Sequence, residues 1–567
     1  MATYEPEIKY SDQSDSKSES GVVKDEEPSE VSTPPQVNGI DGKLHRELSA
    51  RQVQMIAIAG TIGTGLFLGT GSSLAQGGPA SILICYTIVG FIVYVTLLLL
   101  GELGTQYPVT GSFGHYCTRF FSPSYGFALT WNYWGGRAIS LAGDLVSAQL
   151  IMSYWTEWNP WAVALLFWVF LVMINAIHVK AYGELEYWLS SLKIVAIVIF
   201  IIVGVIVNVG VNHEHRYIGG ENWRLPGAPF VGGFGGFLSV FVTASFAYGS
   251  TESLGITAGE TKNPSRNMPR VVKFVFWRVL IFYVLSILLI GLNVPYNYPN
   301  LSTRSAITSP FAIVFEEVGA VGAASFMNTV VLTSVVSAAN HNIYAGTRVI
   351  YGLAVVKQAP RIFTWTTKNG IPIPALVLTS SVSMLCFGSS YIGNGLVWEW
   401  LKNLTGVSVQ IAWLSIGITS WRFRKAWVRQ GRPLEEMKFR AKWTWPWAPA
   451  FVVISVIVLI LVQGWHSIYP NFVVVDFVSF YIELPIMAIM TLAWLFIKRR
   501  RNPDSLQTSR TKKFWYTDMP DLDTMDLHED EYKEVEDDII EDEKRAQRTK
   551  YGNFVFRVLW RSYYWVA

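Results

Sequence analysis

Apolar residues in this chain are gathered into blocks of about 20, the length that crosses a bilayer as a helix. In hydrocarbon every backbone polar group needs a partner within the protein, which confines such blocks to α-helices. Only 15% of the residues are charged, against roughly 25% in an average soluble protein. The chain therefore reads as an all-α polytopic membrane protein. Twelve transmembrane helices are predicted, at 53–73, 80–101, 124–152, 160–178, 189–211, 235–258, 274–294, 321–345, 374–393, 398–418, 446–466 and 472–497. The third contains Gly135-Gly136-Arg137, which predicts an interruption. Three parts follow: a disordered tail at 1–47, a transporter-sized domain at 48–498 and a charged tail at 499–567.

Loop charge orients the spans. With the N-terminus in the cytoplasm, the inner loops carry ten cations from Arg119 to Lys368 and eight more between Arg422 and Lys442, against Arg216, Arg224 and Arg304 outside. This bias follows the positive-inside rule. It requires an even number of spans and puts both termini in the cytoplasm. The first 45 residues hold no apolar h-region, so the first span is expected to direct insertion. Tryptophans such as Trp155, Trp158, Trp161, Trp398 and Trp400 flank spans, as interfacial belts do.

Within the first span lies Gly60-Thr61-Ile62-Gly63-Thr64-Gly65. Three glycines in six residues are a poor basis for a continuous helix. Taken alone, the run is as well explained by small-residue helix packing. Ala247-Tyr248-Gly249-Ser250-Thr251-Glu252 interrupts a second span about five segments later, and paired breaks in two halves mark a transporter's substrate site. Free amides at the first break attract a carboxylate. Unwound carbonyls at the second accept from an ammonium. Together the breaks suit a free amino acid, with Phe246 and Tyr248 as a candidate apolar lid or as plain packing.

Charge inside a membrane costs about 2.5–3.5 kcal/mol even on lenient scales. The candidates are Glu102, Arg137, Asp144, Lys193, Glu252 and Lys402. Glu102 and Lys402 lie near span ends, where a long side chain reaches the interface. Arg137 and Asp144 are two helical turns apart and share a face. Glu252 is a candidate proton acceptor or a local anchor.

No Gly-x-x-x-x-Gly-Lys-Ser/Thr loop is present, so no ATP hydrolysis is encoded, and an ion gradient or passive transport remains. His213-Glu214-His215 lacks a third ligand, and Cys85, Cys117 and Cys386 have no metal-ligand spacing. No enzyme activity, cofactor, metal or nucleic-acid partner is expected. Lys9, Lys17 and Lys24 make the N-terminal tail a candidate target of ubiquitin-ligase machinery, or an inert solvated tail. In the C-terminal tail an acidic stretch at 518–543 precedes an aromatic end near 554–565, which lies on the membrane surface or docks on inner loops. Asn300-Leu301-Ser302 is a glycosylation sequon in an outer loop.

From about Leu48 to Lys498 the chain resembles the fungal amino acid permeases of the amino acid–polyamine–organocation superfamily. The resemblance rests on Met55-Ile56-Ala57 leading into Gly60–Phe67, Gly101-Glu102-Leu103 with Pro108–Ser112, Gly183-Glu184-Leu185-Glu186-Tyr187-Trp188, Ile256–Glu260 with Asn263-Pro264, and Val294-Pro295-Tyr296-Asn297. It implies a LeuT-type fold, a 5+5 inverted repeat plus two helices, and proton symport across the plasma membrane. It implies substrate contacts at Thr61, Ile62, Gly63, Thr64 and Gly65, and at Phe246, Tyr248, Gly249, Ser250 and Thr251. It makes Lys193 similar to a lysine whose ammonium takes a sodium ion's place, and Glu102 and Glu252 similar to family acids that serve coupling. Ser337–Asn340 and Asn403–Val407 look closest to permeases for lysine and arginine, which adds Asn340, Thr405 and Asp144 as selectivity residues. Three positions depart from the family: Arg137 replaces an aromatic, Lys402 an apolar residue and His341 a small polar one. The added cations oppose a cationic substrate unless acids neutralise them. Alternatives are therefore a broad-specificity, neutral or acidic amino acid permease, an exchanger without proton coupling and, in another class, a non-transporting sensor. Sensors of this fold tend to carry a much longer N-terminal domain than the 47 residues here.

Overall fold

The computed structural model describes Met55, residues 60–501 except 110, 178, 262, 300, 302–307, 320–321, 368 and 470, and residues 518–532. The tail at 1–47 with its three lysines, the sequon at Asn300 and the aromatic end at 554–565 lie outside the described residues.

Helices dominate the described residues. After the first break come α1 (Thr64–Phe67), α2 (Gly69–Gln106), α3 (Ser112–Phe120), α4 (Pro123–Met152), α5 (Pro160–Ile177) and α6 (Val179–Asn208). Next are α7 (Gly233–Ala247), α8 (Leu254–Thr257), α9 (Pro264–Arg278), a π-helical stretch (Val279–Leu285), α10 (Ser286–Asn293) and α11 (Pro310–Glu316). The chain continues with α12 (Ala323–Val355), α13 (Ile373–Val382), α14 (Ser389–Ile392), α15 (Asn394–Arg429), α16 (Trp447–Val462), α17 (Trp465–Ile468), α18 (Val474–Tyr481) and α19 (Glu483–Arg501).

Among the described residues five helices are long and apolar enough to cross a membrane: Gly69–Gln106, Pro160–Ile177, Tyr182–Asn208, Pro264–Asn293 and Ala323–Val355. A sixth is the pair Val474–Tyr481 and Glu483–Arg500, bent by 46°. The others fall short for reasons their composition explains. α4 and α15 are 30 and 36 residues long, but both carry buried polar side chains. α7 stops at a break, and α16 has only 16 residues. The chain is thus an all-helical, multi-pass membrane protein. One boundary differs from expectation: the end of the first predicted span and the second are a single run, joined at Gly78-Pro79, where Gly78 has φ 80°.

The predicted interruption at Gly135–Arg137 is absent, and α4 is continuous through it. Here the glycines serve contact: a Cβ on Gly136 would strike Ser408 of α15. α4 packs on α12, α15 and α19, and α2 packs on α7 and α9. Trp158 and Trp161 are exposed, as a belt requires, whereas Trp398 is fully buried.

Glu102 and Lys402 do not reach an interface. Arg424 of α15 grips Glu102 with both Nη2, at 2.5 Å, and Nε, at 3.1 Å, and the Ala441 amide donates to the same carboxylate at 2.9 Å. Lys402 pairs with Glu399 at 2.5 Å and sits over Trp398.

Residues 518–532 of the acidic C-terminal stretch dock against this end of the bundle. Tyr107 donates to the Leu527 carbonyl at 2.7 Å, Gln430 to the carbonyls of Leu522 and Met525, and Arg432 to Glu531 at 2.9 Å. Met525 and Leu527 are buried. Asp530 faces His115 and Arg119, which hold its carboxyl below the ordinary carboxylate value.

Two outcomes are expected. Glu102→Ala leaves a buried guanidinium unpaired, a loss on the order of 3–5 kcal/mol, read as a lowered melting temperature in detergent. A carboxyl whose value is lowered on docking contributes while ionised and loses that contribution as pH falls through the docked value. Protection factors for amide exchange across 518–532, corrected for the intrinsic pH dependence of exchange, should therefore hold steady near neutral pH and fall only below about pH 4.

Candidate functional site

The first break falls at Ile62-Gly63, between helical Gly60-Thr61 and α1. The first backbone bonds beyond it run from Leu66 and Phe67 to the Gly63 carbonyl, both at 3.2 Å. The amides of Gly63, Thr64 and Gly65 thus open a helix. The second break follows α7, where Ser250 adopts φ 70° before a tight turn at Thr251–Ser253. A non-glycine residue in the left-handed region costs roughly 1–2 kcal/mol, so its surroundings must hold it there.

Tyr283 brings the breaks together. Its hydroxyl lies 2.7 Å from the Thr61 carbonyl and 2.9 Å from the Ala247 carbonyl. The π-helical stretch that carries Tyr283 is a backbone form frequent at functional sites. The glycine run packs closely as well. A Cβ on Gly65 would press into Cα of Ala247, and one on Gly60 would lie 2.7 Å from the His341 ring. Break and close packing, the two readings of the run, both hold at once.

Between the breaks is a small cavity lined by both, including Thr61, Thr64, Gly249 and Ser250, together with Arg137, Asp144, Asn342 and Thr405. Gly63, Gly65 and Phe246 also border it. Thr64 donates to Asp144 Oδ1 at 2.5 Å, and Asn342 donates to Oδ2 at 2.7 Å. Arg137 uses Nη1 to donate to Ser250 Oγ and, at 3.2 Å, to Asn342 Oδ1. Arg137 thereby pins Ser250 in its strained turn. Its guanidinium lies 4.9 Å from the Tyr133 ring centre. Phe246 meets Trp398 edge-on at 6.4 Å.

Seven predicted residues stand outside the cavity lining: Ile62, buried in the core, and Tyr248, Thr251, Asn340, Glu102, Lys193 and Glu252. Tyr248 turns away and stacks on Tyr283 at 4.2 Å. Thr251 donates to the Tyr248 carbonyl at 2.9 Å and shapes the turn. Asn340 donates to Glu186 at 2.6 Å. Glu102 is in the Arg424 latch described above.

Glu252 is fully buried behind the second break, where Tyr133 donates at 3.0 Å, the Ser250 amide at 3.2 Å and Trp413 at 3.2 Å. Lys193, also buried, interacts electrostatically with Glu186 and Asp144. Glu186 in turn accepts from Ser337 and Asn340, both at 2.6 Å. His341 bridges α6 and the second break, with Tyr182 at 3.4 Å and Ser253 at 3.0 Å. Glu186 and Tyr283 were not singled out as site residues from sequence. Glu186 sits in the Gly183–Trp188 string, and its position two helical turns from Lys193, on the same face, is a usable signal.

The model of the amino acid permease family matches residues 52–507. The chain belongs to that family. It is 43% identical over 476 residues to a probable amino-acid permease of Schizosaccharomyces pombe, covering 81% of this chain and 93% of that one. It is 40% identical to the lysine-specific permease of Escherichia coli, over 80% and 94% of the two chains. It is 41% identical to a general amino-acid permease of Candida albicans, over 75% and 73%. An amino acid substrate and a membrane setting follow from the family.

Gly65→Ala should drive the two breaks apart and cut uptake of every amino acid by at least about tenfold, since misplacement of about 1 Å costs about a hundredfold in positioned chemistry. Gly135→Ala, which meets nothing within 4 Å, is the control. Equal uptake by the two variants at equal surface abundance would remove the close approach from the mechanism.

Proposed function

We propose that this permease imports free amino acids across the plasma membrane by proton symport, through twelve spans arranged as a 5+5 inverted repeat plus two helices, with both termini cytoplasmic. The observation that carries this reading is the shared cavity between two helix breaks linked by Tyr283. The α-carboxylate sits against the amides of Gly63–Gly65, where the helix dipole favours an anion. The ammonium sits against the carbonyls between Phe246 and Gly249.

Proton coupling is assigned to the buried charges beside the first break. Lys193 interacts with Glu186 on one side and with Asp144 on the other, and Asp144 is bonded to Thr64 within the break. A proton gained or lost in this group alters the pull on Thr64 and so on the carboxylate site. Glu252 stands in the same relation to the Ser250 amide. Glu102 lies apart, in a bidentate pair, which favours a structural part for it. The N-terminal lysines are proposed targets of ubiquitin-ligase machinery that sets surface abundance.

A basic side chain is the preference expected from sequence, and relatives named for lysine support it. The cavity supports it less. Each Asp144 oxygen already accepts from a protein donor, and Arg137 occupies the same cavity.

In a permease-deficient cell, a panel of labelled amino acids should show accumulation that a protonophore abolishes. No uptake of any amino acid by surface-resident protein would favour a sensor, and exchange that survives the protonophore would remove symport. Lys193→Ala should lower accumulation of every substrate by more than about tenfold, given the cost of stranding a buried acid. Normal proton-driven accumulation by that variant would remove Lys193 from coupling.

A further inference from the structure

Arg137 is 1% exposed, and only one of its three nitrogens is engaged. Nη1 serves both Ser250 and Asn342. Among the described residues, Nε and Nη2 find no acceptor. These two nitrogens form one edge of the guanidinium, the fork that matches a carboxylate with two parallel hydrogen bonds. The same edge of Arg424 grips Glu102 elsewhere in this molecule, through Nε and Nη2. Thr405 Oγ, also buried and bordering the cavity, finds no partner either.

The acids near the cavity offer no matching surface. Asp144 accepts at both oxygens from Thr64 and Asn342, and Glu186 and Glu252 likewise accept at both oxygens. Lys402 is paired with Glu399. Buried polar groups left unsatisfied are costly, so two unpartnered donors on one edge of a side chain that borders the cavity specify an acceptor of matching shape.

We propose that Arg137 is a specificity-determining residue that receives a carboxylate on the substrate's side chain, so that the permease takes acidic amino acids in preference to their amides. This rests on the amino acid permease reading above. The two helix breaks hold the α-amino acid group, and Arg137, which borders the same cavity as Thr405, holds the second carboxylate with its unpartnered edge. A neutral amide offers one oxygen where the fork asks for two, and a cationic side chain meets the guanidinium directly.

The test is uptake of labelled glutamate, glutamine, aspartate, asparagine, alanine and lysine by the full chain in permease-deficient cells. Glutamate and aspartate should exceed their amides by about tenfold or more, the scale of a charge-assisted bidentate pair. In Arg137→Gln the glutamate-to-glutamine ratio within the same cells should fall to about one or below, a readout that is independent of surface abundance. If that variant fails to reach the surface, competition in the unaltered protein decides: unlabelled glutamate should displace labelled aspartate uptake at far lower concentration than glutamine or lysine does. Lysine uptake above glutamate uptake, or no discrimination between glutamate and glutamine, would overturn the proposal and leave the permease reading intact. Absence of uptake for all six would instead count against the permease reading.

Discussion

Two helices interrupted inside a membrane set the terms for the rest of this structure. Each break frees backbone groups that lipid cannot satisfy, and protein must supply partners for those the substrate does not meet. Tyr283 places a single hydroxyl, with one proton to share, within hydrogen-bond distance of both the Thr61 and the Ala247 carbonyl, which ties the two breaks together. Glu252 supplies a partner for the Ser250 amide and recruits Tyr133 and Trp413 to hold its own charge in place. The glycines then allow α1 to lie directly against Ala247. Satisfaction of the broken backbone and assembly of the cavity are the same set of contacts.

Polar side chains inside the bundle form two groups around this cavity. One comprises Lys193, Glu186, Asn340 and Ser337, with His341 nearby against Tyr182 and Ser253. Asp144 joins that group to the first break through Thr64 and to α12 through Asn342. The other runs from Arg137 to Ser250. Asn342 touches both, donating to Asp144 and accepting from Arg137. A change of charge at Lys193 acts electrostatically on Asp144, which is one hydrogen bond from the first break and three from the second. That is the kind of discrete, bonded connection that coupling between an ion and a substrate requires.

Much of this was legible in the sequence because it concerns local backbone. Glycine spacing located the first break, and the string Tyr248-Gly249-Ser250 located the second. The shared face of Arg137 and Asp144 followed from helical geometry, and both border the cavity. What stayed hidden depends on which way a side chain turns and on contacts between distant segments. Tyr248 reads equally as a lid or as plain packing, and it stacks on Tyr283. Asn340 was read as a substrate contact but holds Glu186. Glu102 and Lys402 lie near span ends and read as candidates to reach the interface; Lys402 instead pairs with Glu399, a partner that helical spacing could have shown, whereas nothing local reveals Arg424, 322 positions from Glu102. The docking of 518–532 was invisible for the same reason, since an acidic stretch gains order only from the cationic surface that receives it.

The contrast between Arg424 and Arg137 shows how one side chain type can serve fold or selectivity. Arg424 spends its bidentate edge on Glu102, whose carboxylate gains a third donor from Ala441, so the fork that would match a ligand carboxylate is already filled. Arg137 is held by Nη1 and by the face of Tyr133, contacts that fix its position without using its edge. A buried guanidinium immobilised in this way loses little further entropy when an acceptor arrives, and preorganised donors discriminate sharply between substrates that can satisfy them and those that cannot. In the proposed function the helix breaks hold what all amino acids share. Discrimination among them falls to groups that border the cavity and are not already paired, and among the described residues Arg137 is the charged side chain there with donors to spare.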